Sequence, residues 1–159
     1  MKRIYIFALA MVALLFVTGC GKKTPEQLIV GHWVAAEPLV MDQGGMKMTI
    51  SDMQASYKKD GTSTGSAHMK MAGAMLPKPI ELEMNIASKW TLKDNVLTET
   101  ATDAKVKMIT QIPGMPDMGK MMSENMKNKP KSSTILQLDK TTLKIKDNES
   151  GQVFTMTRK

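Results

Sequence analysis

A closed antiparallel β-barrel of eight or nine short strands is the fold this sequence predicts, and three observations predict it. Apolar and polar residues alternate with a period of two along much of the chain, turn-forming residues recur at hairpin spacing, and helical segments do not alternate with the strands. A meander of such strands has one face to bury, and closing the sheet onto itself removes both edges. A two-sheet sandwich is the fallback architecture.

The elements follow in order. "TPEQ" at 24–27 predicts a short helix, with Thr24 as N-cap, Pro25 in the first helical position and Gln27 closing a capping box; Gly31 ends it soon after. "LIVGHWVA" at 28–35 then enters the first strand. "YKKDGTSTG" carries Asp60-Gly61, a dipeptide suited to the positive φ of a tight hairpin. "IELEMNIASKWTL" is the clearest strand, placing Ile80, Leu82, Met84, Ile86, Trp90 and Leu92 on one face. "KDN" at 93–95 turns into "VLTETA", and "KVKMITQI" at 105–112 reads as a further strand. "STILQL", "TTLKIKD" and "QVFTMTR" complete the count, joined by "DK" at 139–140 and "NESG" at 148–151.

One segment breaks the period. "PGMPDMGKMMSENMKNKP" at 113–130 spaces Met115, Met118, Met122 and Met126 by three or four, with Met121 beside them. Asp117 is placed to cap a single inserted amphipathic helix, its methionine stripe opposite Lys120, Glu124 and Lys127.

The amino-terminal residues read as an export signal. Lys2 and Arg3 precede an uncharged run, Ile4–Val17, that is shorter than the roughly 20 residues a spanning helix needs. "VTGC" at 17–20 resembles the lipobox of bacterial lipoproteins. That resemblance implies a signal peptide over 1–19, diacylglycerol and fatty acyl (palmitate-type) chains on Cys20, and a mature protein that begins at Cys20 with a short linker over 20–27. Two or three chains at about 0.8 kcal/mol per buried methylene anchor durably where one does not. Gly21, rather than aspartate, after the cysteine implies the outer membrane, facing the periplasm, in a double-membrane host.

"LIVGHWVA", "YKKDGTSTG", "KWTLKDNVL" and "LQLDKTTLKIKD" together resemble small bacterial lipocalin-like lipoproteins, over a domain spanning 28–159. The resemblance implies that Gly31 and Trp33 close one end of an up-and-down barrel, with Arg158 packed on the tryptophan. An indole N–H with a guanidinium over its face makes a structural plug.

Composition narrows the function. Removing residues 1–19 from the 159-residue chain leaves enough for one domain with a core. The formal charge of +7 includes Lys2 and Arg3, and the remaining lysines are scattered without interleaved aromatics, which argues against nucleic acid. Lys22 and Lys23 stand beside the anchor, where anionic headgroups are. Cys20 is the only cysteine, and His32 and His68 are too far apart to meet a zinc spacing. Nucleophile-elbow, zinc-protease and phosphate-loop motifs are absent, and Glu81 and Glu83 alternate onto a solvated strand face. The sequence points away from an enzyme and calls for no cofactor.

Methionine is the anomaly, at 17 residues. Thioethers fill irregular cores and adaptable grooves. They are also soft ligands for Cu(I) or Ag(I), and Met46, Met48, His68, Met69, Met71 and the trio Met118, Met121 and Met122 are the candidates. Met46 and Met48 stand nearly 7 Å apart on a strand at about 3.3 Å per residue, whereas the helical trio is closer. The expectation is therefore a non-catalytic envelope lipoprotein that binds a small apolar ligand or an envelope protein. The alternative is a periplasmic Cu(I)- or Ag(I)-binding protein.

Overall fold

The computed structural model describes residues 23–114 and 116–159. Cys20 and the segment expected to be an export signal therefore lie outside the described residues. The fold is an antiparallel up-and-down β-barrel of the lipocalin-like kind, with one short helix before it and one inserted.

Helix α1 spans Pro25–Ile29, and β1 (Gly31–Ala35) and β2 (Leu39–Gln43) follow. The long strands are β3 (Met46–Tyr57), β4 (Thr62–Gly73), β5 (Ile80–Lys93) and β6 (Val96–Met108). Helix α2 (Met118–Met126) precedes β7 (Pro130–Leu138), β8 (Thr142–Asp147) and β9 (Val153–Arg158). Each strand from β2 onward pairs with the next, and β1 bridges β9 and β3 to close the ring. The extra strand, β2, continues along the same edge of β3 that β1 has left.

Two-residue hairpins set the registers. Gly44 and Gly45 take φ of +60° and +78° between the paired Gln43 and Met46, as a type I′ turn requires. Asp94 and Asn95 do the same at +51° and +62° between Lys93 and Val96.

Bulges explain where simple alternation misleads. In β6 the register steps so that Thr102 has no partner, and the inward set changes from Leu97, Glu99 and Ala101 to Ala104, Val106 and Met108. The two strands expected at "VLTETA" and "KVKMITQI" are thus one bent strand, which stops at Met108 rather than residue 112. In β3, Asp52 sits at φ +53° in a similar step between Ser51 and Gln54.

The core falls into two parts. One gathers Trp33, Tyr57, Trp90, Leu97, Ile135, Leu143, Ile145 and Met156, with Ile29 of α1 fully buried among them. The helix that carries Ile29 is capped as its sequence suggests: Thr24 accepts from Gln27 N while the Gln27 side chain accepts from Thr24 N.

The second part lies where β3–β6 extend past the shorter β7–β9. It has Met69, Met71, Met84, Ile80, Leu82 and Val106 at its centre, and α2 covers it. Helix α2 also satisfies the free edge of β6: Val106 N donates to Ser123 Oγ (2.9 Å), which donates to Gly119 O (2.8 Å). Gly119 is required there, because a Cβ would run into the Val106 carbonyl.

Candidate functional site

One end of the barrel is sealed. Trp33 is fully buried, and its Nε1 donates to Ile29 O at 2.7 Å. The guanidinium of Arg158 lies over the indole, 4.2 Å from carbon to ring centre. Its nitrogens donate to Val30 O (2.8 Å), to Lys140 O (2.7 Å) and to Leu28 O. These carbonyls belong to the end of α1 and to the β7–β8 hairpin, so one side chain ties three chain segments together. Gly31, at φ +145°, lies so close that a Cβ would overlap the guanidinium.

Above this plug the barrel is hollow. A cavity of about 280 Å³ opens between the two cores. Its walls are Ile50, Met53, Ala55, Met84, Ile86, Ala101, Phe154 and Met156, with Met126 of α2 at the rim. Gly65, Ala67 and Ser88 are small, and that is what leaves the interior unfilled. Lys129, Lys131 and Asp147 stand around the mouth, at the end of the barrel away from Trp33.

One acidic side chain faces this interior. Glu99 Oε1 accepts from Ser63 Oγ at 3.0 Å and Oε2 from Tyr57 OH at 3.2 Å. Burial pushes the Glu99 carboxyl above the usual carboxylate range, against the two hydrogen bonds, which favour its charged form. Tyr57 is held well above its ordinary value, by burial first and by neighbouring Glu99 second. Trp90 fixes Tyr57 edge-on, with centroids 5.8 Å apart at 87°, and donates to Thr62 O at 3.0 Å.

The expectations drawn from the sequence did not include Glu99, Tyr57 or Ser63. The signal was present: Glu99 follows Leu97 by two in a strand, so a charge shares the inward parity of a core leucine.

The soft-ligand candidates fall into two groups. Met46, Met48, Met69 and Met71 all face the second core, with Met48 and Met71 directly opposite each other across β3 and β4. Met118 and Met122 reach the same core from α2, whereas Met121 is 55 % exposed on the other side of the helix. Strand alternation turns His68 away from Met69 and Met71; it pairs across to Ser51 and Glu83. Six of the eight candidates, Met46, Met48, Met69, Met71, Met118 and Met122, therefore share one thioether-rich core where sheet and helix meet, and Met121 and His68 stand apart from it.

No protein-family model matches the chain, and no curated protein matches it. Fold and site define the class instead: a small lipocalin-like β-barrel, plugged at one end and hollow within.

Proposed function

We propose that this chain is a non-catalytic lipoprotein of the cell envelope, anchored through acylated Cys20, whose barrel takes up a small apolar ligand. The observation that carries the reading is the cavity, apolar-walled and inside a closed sheet. At about 280 Å³ it falls just below the roughly 300–1,000 Å³ typical of ligand sites. That size suits a compact molecule or a short alkyl chain better than a whole lipid.

The placement of α1 supports the same reading. Three residues join Cys20 to Thr24, so the four residue steps between them reach about 14 Å at most, and α1 sits at the plugged end. The lipid tether would hold that end towards its membrane and leave the mouth facing the aqueous space. Such a protein collects ligand from solution rather than from the bilayer beneath it.

Displacement of a fluorescent fatty acid or a smaller fluorescent hydrocarbon tests the reading. A saturable site that short apolar compounds empty supports it. Absence of any apolar competitor would leave a partner-binding or structural role. Mass spectrometry of the protein isolated from its host tests the anchor: an amino-terminal segment that is intact and unacylated would contradict it.

A further inference from the structure

We infer that the cavity is shaped for an apolar ligand bearing a protonated amine, its head seated against Glu99 and its alkyl body against Met84, Ile86 and Phe154. The inference deepens the carrier reading and rests on it. A carboxylate offers about four lone-pair positions, and the hydrogen bonds described for Glu99 come from two neutral hydroxyls, Tyr57 and Ser63. Its remaining acceptor capacity faces the cavity that it lines.

A buried charge is ordinarily paired. Among the described residues, however, the ion pairs are Lys70–Glu81 and Lys127–Asp103, at 3.2 and 3.1 Å, and Glu99 is in neither. Lys131 is its partner across β6 and β7, yet that side chain is exposed at the mouth. The barrel interior thus holds an acid, donors that steady it and apolar walls, and the cations of its lining, Lys129 and Lys131, stand at the mouth without an ion pair to Glu99 among the described residues. An ammonium group on the ligand completes the set. An alkyl carboxylate would have to bind the other way round, head outward at Lys129 and Lys131.

Isothermal titration of the full chain with octylamine, octan-1-ol and octanoate, repeated on E99Q, tests this. The native chain is expected to bind octylamine at least about tenfold more tightly than octanol, the range for a hydrogen bond to a charged group. E99Q is expected to bring amine and alcohol level. Octylamine no tighter than octanol, octanoate as the tightest of the three, or an amine preference that survives E99Q would overturn the inference and leave the carrier reading standing. If none of the three binds the native chain, the carrier reading itself fails. The ranking on the native chain stands as a test even if the E99Q chain does not fold.

Discussion

Arg158, in the last strand, carries its guanidinium over the indole of Trp33, in the first strand, 4.2 Å from carbon to ring centre. The contact joins β1 to β9 where the sheet closes, and Trp33 and Arg158 are also direct partners in the β1–β9 ladder. Closure of the barrel is therefore secured by the same two residues that seal its floor.

Removing the guanidinium should be costly. Arg158→Ala leaves the carbonyls of Val30, Leu28 and Lys140 without their donor. We expect a loss of about 2–4 kcal/mol in urea denaturation, counting unpaired carbonyls and the lost cation–π contact. Arg158→Lys should recover less than half, because one ammonium cannot reach three carbonyls in the same fork. A loss below about 0.5 kcal/mol, the size of an ordinary surface change, would contradict the plug.

Helix α2 depends on one hydroxyl. Ser123→Ala strands the Val106 N–H at the edge of β6. The expected cost is about 1–3 kcal/mol for a buried donor left unpaired. Amide exchange should show it as faster opening of α2 and of β6 beyond the bulge, with β7–β9 unaffected.

Met118→Leu and Met122→Leu test what the sulfur is for. Both side chains pack in the second core, and volume-conserving swaps usually cost less than about 1.5 kcal/mol. We expect small stability changes and an unaltered response to Cu(I) under anaerobic competition. A large drop in Cu(I) affinity would restore the metal-binding alternative. Met121→Gln, at an exposed position, should change stability by no more than about 0.5 kcal/mol.

Glu99 makes the empty barrel sensitive to pH. Its carboxyl is raised in the folded state, so the folded chain binds the proton more tightly than the unfolded chain. The contribution is complete below the unfolded value of about 4.3. It is lost as pH rises from there through the raised folded value. Asp139, held low by Gln137 and by the turn amides of Thr141 and Thr142, acts in the opposite sense and loses its contribution as pH falls. Comparing denaturation midpoints of the native chain with those of E99Q isolates Glu99. The native chain should lose ground to E99Q as pH rises across that window, and parallel curves would contradict it.

Much of this architecture was legible because local rules and the global fold agree. Thr24 and Gln27 form the capping box they suggest, Asp117 caps α2, and Asp94-Asn95 turns where a polar tripeptide interrupts an alternating run. The β6 boundary was not legible, because the bulge at Thr102 shifts the inward parity and makes one strand look like two. The site was harder still. A cavity is made by what is small, such as Gly65, Ala67 and Ala101 from different strands, and periodicity reports which face is apolar, not whether facing side chains meet. The methionines were conspicuous but pointed to chemistry that Met121 and His68, turned away from the rest, do not join.

The hollow interior is the central claim, and filling it is the direct test. Binding of a naphthalene-type fluorescent probe should be measured on the native chain and on Ala101→Phe, which projects a ring into the cavity from its wall. The account predicts one saturable site in the native chain, weakened at least about tenfold in the variant while the fold is retained, as expected when about 1.4 kcal/mol or more of apolar contact is displaced. Equal binding by the two chains, or no saturable binding to the native one, would contradict it.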